Sequence, residues 1–483
     1  MLSQRSKRRG YDPLRYLRLP AADGAMLRPS TIGKLRVPSG AIRGTVEDVA
    51  RVLPLLTELS VGARRGIPRW VPTASPGLSV DDLIPRERSA SWLEITYPFS
   101  TDDELRDKYM IGGDDTLRAG MFLEELDAFS ADCSARHADA ANEARPLSVV
   151  TAAHDGLSIF ERLSARHDLR LRGSVVSVGT SSMEVRTDLL RVLRSTKEAD
   201  EEDFLGCCYT VMVARERGSF SKAAVHPLLA QDTVSDSEAR AASTRRAAAR
   251  KQLAANALYH KPPSPTEVPL LHELWRDARR EADAADGAEA PSTRSDGDST
   301  VVRVPMRASE QIAVDVMQPS HRNMNGYMFG GYLMRRAYEV AWLSAYRFGR
   351  APPNFAGLDD VSFNTPIELG AIIELIGRAV YAAEDETLRV CVEAHKLSLR
   401  TGKREPANLF HFIFRPSATA EPPESAPGGV DTLRQDVPPV YRREVLPETY
   451  EEGMLYLEGR RRWLNSLSEE GANACGVCVS EKD

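Results

Sequence analysis

The carboxylate of Asp127 follows Gly120 by seven residues in the run Ala119-Gly-Met-Phe-Leu-Glu-Glu-Leu-Asp127. In a helix that spacing is two turns, ~10 Å along the axis, and its helical neighbours are Leu123, Ala131 and Ser130. A carboxylate on so small and apolar a face is either a solvated surface group or a base placed at an interface; the pattern admits both. Far downstream, Gly330-Gly331 opens a second helical pattern, with apolar residues at Leu333, Ala337, Tyr338, Ala341 and Ala345. Bare glycines there let the unpaired N–H groups of the first turn approach a ligand oxygen at the positive end of the helix dipole. The same pair also suits a tight turn feeding a buried helix. Asn323 stands seven residues before Gly330, an amide able to hold a carbonyl or a water. Gly179-Thr180-Ser181-Ser182 offers N–H and hydroxyl donors in a turn, which makes either a phosphate cradle or an ordinary hairpin.

The elements that must hold these groups recur. Trp92–Tyr97 alternates like a strand, Leu171–Val178 and Ser182–Leu190 flank the Gly179 turn, and Tyr209–Ala214 is strongly apolar. After the Gly pair, Ile373–Tyr381, Leu388–His395 and Leu409–Phe414 repeat that order, and Ala119-Gly120 stands where the later copy has Gly330-Gly331. The chain is thus a degenerate internal repeat of about 120 residues. One long helix and several antiparallel strands per copy give an α+β class, with the helix on one sheet face. The copies are unequal at the reactive positions: Tyr338 stands where the earlier copy has Asp127, and Gly112 where the later one has Asn323. Glu384-Asp385-Glu386 replaces the Gly179–Ser182 turn and would repel a phosphate.

Asn323-x-x-Gly326-x-x-Phe329-Gly330-Gly331-x-Leu333-Met334 resembles the start of the central helix in hotdog-fold acyl-CoA thioesterases. Asp359 to Gly370 is similar to the strand-turn-strand after that helix. Asn408–Phe414 resembles a late strand, and Pro447 to Gly459 a C-terminal signature of the mitochondrial two-domain branch. The resemblance implies two hotdog domains in tandem, each an antiparallel sheet wrapped around a long helix, packed as a pseudo-dimer. It implies hydrolysis of acyl-CoA without a cofactor, with Asp127 and Asn323 completing one site between the copies while the symmetry-related position, Tyr338 and Gly112, is empty. In that reading Gly330, Gly331 or Gly120 supplies N–H donors to the oxyanion, and Gly179, Thr180, Ser181 and Ser182 contact CoA. Such chains commonly assemble as trimers. Two other readings stay open: a hotdog hydratase, which would pair a carboxylate with His154 or His321, and a non-catalytic acyl-CoA-binding scaffold.

Composition sets outer limits. The 483 residues are 42% hydrophobic and 27% charged, enough for more than one core. A net charge of -6 gives no reason to expect nucleic acid, and nothing approaches the ~18 apolar residues of a membrane span. Six cysteines without framework spacing argue for a reducing compartment; Cys475-x-x-Cys478 lacks the further ligands that zinc would need. Residues 1–43 are rich in Arg and Lys and poor in acid, which fits a mitochondrial transit peptide targeting the matrix; a basic arm of a cytoplasmic protein is the other reading. The expected divisions are an extension at 44–90 with a helix from Val46 to Leu59, domains at 91–217 and 306–416, a connector at 218–305, and a C-terminal part at 417–483. Within the connector, Ser235–Tyr259 reads as helix and Ala282–Thr300 as a disordered linker; Pro416–Pro439 is a second insertion.

Overall fold

The computed structural model describes residues 42–45, 83–111, 114–139, 147–194, 200–217, 219–229, 234–258, 260–284, 292–296, 299–323, 325–359, 361–363, 365–415 and 442–467. The expected Val46–Leu59 helix, the Pro416–Pro439 insertion, Gly112 and the Cys475/Cys478 pair lie outside them. In chain order the elements are β1 (Ile42–Thr45), β2 (Leu93–Tyr97), α1 (Asp103–Tyr109), β3 (Met110–Ile111), β4 (Asp114–Leu117) and α2 (Ala119–Ala138). Then come β5 (Leu147–Ile159), β6 (Asp168–Val178), β7 (Ser182–Leu193), β8 (Glu201–Glu216), α3 (Val234–Asn256), α4 (Glu267–Ala284), β9 (Ser292–Asp296) and β10 (Ser299–Pro305). The remainder is β11 (Gln311–Val316), α5 (Gly330–Gly349), β12 (Asn354–Leu358), β13 (Val361–Ser362), β14 (Ile372–Ala382), β15 (Leu388–Leu397), β16 (Arg404–Arg415), β17 (Arg442–Leu446) and α6 (Tyr450–Leu467).

One sheet runs through the molecule in the order β1-β2-β6-β7-β8-β5-β12-β16-β15-β14-β11, with β13 paired to β5. The order β2-β6-β7-β8-β5 is repeated as β11-β14-β15-β16-β12, and in each half a long helix follows the first strand in sequence. The halves meet where β5 pairs antiparallel with β12 at Ser158–Gly357 and Leu157–Leu358. The class is α+β, and the sheet is mixed because β1 joins β2 in parallel.

Helices α2 and α5 cross the inner face antiparallel to each other and in contact. A Cβ on Gly120 would meet Tyr338 and Arg335, while one on Gly331 would meet Asp127 and the Glu124 carbonyl. Seventeen of the twenty α2 residues are buried, so charge carried by this helix has to find partners inside the protein. Glu124 meets Arg335 of α5 at 3.1 Å. Glu125 accepts from the hydroxyls of Tyr97 at 2.9 Å and Tyr109 at 2.6 Å. Burial pushes the Glu125 carboxyl up to about 7 against the pull of those two hydroxyls. A carboxyl raised on folding stabilises the fold below its ordinary 4.5 and gives that stability up as pH climbs through about 7. Glu125→Gln is therefore expected to remove a stability loss of up to about 3 kcal/mol between those limits, read as the difference between wild-type and variant denaturation midpoints across pH. Parallel pH curves for the two proteins contradict it.

Two expectations are corrected. Within the expected disordered linker Ala282–Thr300, residues 292–296 and 299–300 are in strands, because β10 gains a parallel partner in β17, well over a hundred residues away, and buries Val301, Val302 and Val304. The expected boundary at residue 43 falls inside β1, where Arg43 pairs with the buried Glu94 at 2.8 Å. The helix expected from Ser235 is α3, which covers the outer face of the first half. Its Arg246 is buried, bonds Glu184 at 2.6 Å and lies 3.6 Å over the Tyr209 ring.

Candidate functional site

Helix α5 starts at Gly330 with Phe329 as N-cap, no side-chain cap and no acidic residue in its first turn. Its exposed amides are met from the other half. The Gly331 N–H donates to Asp127 Oδ2 at 2.6 Å, across 204 residues of sequence. Asp127 is wholly buried, so the positive end of α5 and the carboxylate stabilise one another where water cannot. The absence of side chains at Gly330 and Gly331 is what permits this: a Cβ on Gly331 would lie 2.9 Å from Asp127 Cβ, and one on Gly330 3.3 Å from Asp127 Oδ2. The Gly331 amide, expected to face a substrate oxygen, is thus engaged with Asp127.

The other carboxylate oxygen faces Thr151, which the sequence did not single out, and His154, which it offered only for the hydratase reading. Thr151 Oγ1 donates to Asp127 Oδ1 at 2.6 Å, and His154 Nε2 lies 3.4 Å from the same oxygen. Both come from β5. Its alternation is interrupted by bulges between Thr151 and Ala153 and between His154 and Leu157, which hid the strand; a Thr three residues before a His was the signal available. Burial alone would push the His154 imidazole down, but the Asp127 carboxylate and the Cys208 sulfur outweigh it and push it up to about 9. The Asp127 contact thus favours the charged form of the imidazole.

Asn323 sits in the turn that leads into α5. Its Oδ1 accepts from the N–H groups of Asn325 at 2.9 Å and Tyr327 at 3.1 Å. With Oδ1 so engaged, the Nδ2 hydrogens are what the side chain can offer a substrate carbonyl. The turn touches the first half: the Tyr327 ring packs on Phe220 at 5.6 Å. Phe220 belongs to the segment after β8 that also borders the Gly179–Ser182 turn, since Val225 N–H donates to Thr180 O. Gly179–Ser182 is a hairpin turn between β6 and β7, with Gly179 and Thr180 exposed. Ser182 and Val150 both pair with Val213, which sets the turn two strand spacings, ~10 Å, from the residue next to Thr151. Asp127, Gly330 and Gly331 are therefore in contact, while the Asn323 turn reaches the first half through Tyr327 and Phe220.

The pseudo-symmetric end differs. Gly120 packs on Tyr338, whose ring is enclosed by Phe355, Phe412 and Phe414 at 5.0 to 6.0 Å. Aromatic carbon fills the position that Asp127 occupies on the other side, so Gly120 is brought together with neither Asp127 nor Asn323. Among the described residues no group of three or more His, Cys, Asp or Glu could hold a metal, and no helix is long and apolar enough to cross a membrane.

No protein-family model matches the chain. It is 30% identical over 351 residues to the chloroplastic acyl-coenzyme A thioesterase 2 of Humulus lupulus, covering 70% of this chain and 76% of that protein. The chain belongs to the acyl-CoA thioesterase family. Two mitochondrial members show the same reach: acyl-coenzyme A thioesterase 9 of Homo sapiens is 28% identical over 392 residues, covering 81% of this chain and 80% of its own. Acyl-coenzyme A thioesterase 10 of Mus musculus is 28% identical over 389 residues, covering 79% of each. Membership spans both halves of the sheet, and with them the seam at which Asp127 meets α5.

Proposed function

We propose that this family member hydrolyses acyl-CoA thioesters to the free acid and CoA, at one site on the seam of two hotdog domains packed as a pseudo-dimer. The observation that carries the reading is the buried Asp127 carboxylate held by the N-terminal amide of α5. Asp127 takes a proton from water, the hydroxide adds to the thioester carbonyl, and the tetrahedral intermediate expels CoA thiolate, which leaves without strong acid assistance. Gly330 N–H and Asn323 Nδ2 are the donors proposed for the oxyanion, each worth ~3 kcal/mol in the barrier if placed as in characterised oxyanion holes. The Gly179-Thr180-Ser181-Ser182 turn is proposed to receive a CoA phosphate. No step calls for a cofactor.

The exposed Ile312, Val314 and Val316 on edge strand β11 support assembly with further copies, for which a trimer is the proposal. The basic N-terminal segment and the names of the mitochondrial relatives support a mitochondrial location, with the matrix as the proposed compartment. The contact of His154 with Asp127 favours a second reading, an enoyl-CoA hydratase, because hydration chemistry pairs a carboxylate with a histidine. A thiol-release assay over a panel of acyl-CoAs, run beside an enoyl-CoA hydration assay, separates them. Release of CoA supports the hydrolase. Loss of the enoyl group without free thiol supports the hydratase, and silence in both leaves a binding scaffold.

A further inference from the structure

Asp127 belongs to a ring of buried groups, closed on one side through the backbone of α2 and on the other by a His154 contact that is not a hydrogen bond. His154 Nε2 lies 3.4 Å from Asp127 Oδ1, and His154 Nδ1 is 3.1 Å from Thr210 Oγ1. Thr210 is the cross-strand neighbour of His154 and receives Ser130 Oγ at 3.1 Å. Ser130 returns the ring to α2, one turn after Asp127, and its hydroxyl also reaches the Leu126 carbonyl at 2.9 Å. None of the four side-chain bearers is more than 2% exposed. The Phe363 ring, 6.1 Å away and edge-on to the imidazole, closes the side toward the second half. Cys208 Sγ, at 3.7 Å from Nδ1, is the other titratable group against the imidazole besides Asp127.

A ring that served only to fasten α2 to β5 and β8 could be built from hydroxyls and amides. A carboxylate with no exposure at all, however, is held ionised by hydrogen bonds, by the positive end of α5 and by any positive charge beside it. The imidazole is a group here that can supply charge, and its far nitrogen is tied to the sheet so that it cannot turn away.

We infer that His154 is a positioning residue for hydrolysis, which keeps Asp127 ionised and fixes the rotation of its carboxylate while Thr210 and Ser130 hold the imidazole in place. The inference rests on the hydrolase reading above. His154 touches neither water nor thioester in this scheme; it acts through Asp127. Its removal should therefore change kcat and the acidic limb of the pH profile while leaving KM nearly alone.

The test uses the full chain and three variants. His154→Leu should lower kcat by about a hundredfold with KM changed by less than about threefold. His154→Gln, which keeps a donor but no charge, should recover most of that rate, yet its acidic limb should move up by about one pH unit or more, because protonating Asp127 no longer opposes a neighbouring positive charge. Thr210→Val should shift the limb in the same direction and carries the readout should either His154 variant fail to fold. An acidic limb that stays in place in every folded variant overturns the inference, even where Tm falls, since loss of fastening alone lowers Tm without moving the limb.

A readout independent of turnover separates this from failure of the functional reading. With only nine histidines in the chain, ring-labelled His154 can be followed by NMR. It should titrate at lower pH in Asp127→Asn than in wild type, whether or not CoA is released. An unchanged titration contradicts the coupling, and a shifted titration in a protein that frees no CoA keeps the pair while removing the hydrolase.

Discussion

Replacing Asp127 with asparagine is expected to lower kcat for acyl-CoA hydrolysis by about 10³- to 10⁴-fold, the upper range for loss of a positioned general base. The side chain keeps its size, and its amide oxygen can still receive either the Gly331 N–H or the Thr151 hydroxyl. The protein loses the anion opposite the uncapped start of α5, which costs stability of about 1 kcal/mol. His154 loses its carboxylate partner and titrates at lower pH, so neither charge need be buried in the variant, which offsets part of that cost. Tm should therefore move by only a few degrees. The pairing of a large rate loss with a small stability change distinguishes a reactive carboxylate from a structural one. A kcat within about tenfold of wild type would remove Asp127 from the chemistry.

The second large effect is expected from Gly331→Ala, and its meaning comes from comparison with Gly120→Ala. On Gly331 a Cβ would lie 2.7 Å from the Phe329 ring, 2.9 Å from Asp127 Cβ and 3.0 Å from the Glu124 carbonyl. Two of those neighbours are fixed to the buried helix α2 and cannot swing aside, so the start of α5 must withdraw from Asp127. A displacement of this kind should cost about a hundredfold in kcat and about 1–3 kcal/mol in stability. On Gly120 a Cβ would lie 2.9 Å from a Tyr338 ring carbon and 3.3 Å from the Arg335 carbonyl. The stability cost should be similar, but that end of the seam carries an aromatic ring instead of a base, so kcat should stay within about tenfold. Equal kinetic losses in the two variants would mean that both ends of the seam are catalytic. Urea denaturation and steady-state kinetics on the two purified proteins decide the matter.

Much of the architecture could be read from residue patterns. The two helices start where the small residues Ala119-Gly120 and Gly330-Gly331 precede apolar runs, and the strands after them follow in the same order in both halves. The seven-residue offset that singled out Asp127 also pointed to Tyr338 as its counterpart, and these two occupy equivalent places against Gly331 and Gly120. What could not be read is which amide meets the carboxylate, because Gly331 is 204 residues away and the contact depends on how two helices cross. Strand β5 was lost to its bulges, and with it Thr151 and the contact of His154 with Asp127. Strand β10 escaped notice because its partner β17 arrives only at residue 442, and a strand preceded by Asp, Gly and Ser reads as linker until that partner is known. Asn323 illustrates a different limit. Its position before Gly330 was evident, but the fixing of its Oδ1 by its own turn, which decides the polarity it offers, is a matter of local backbone geometry.

The central claim is that two unlike halves make a single hydrolytic site on one side of their seam. Calorimetric titration with a non-hydrolysable thioether analogue of acyl-CoA counts sites directly. One analogue bound per chain is the expected result, with the Asp127 end occupied and the Tyr338 end closed by its aromatic surroundings. Two equivalent analogues bound per chain would contradict it.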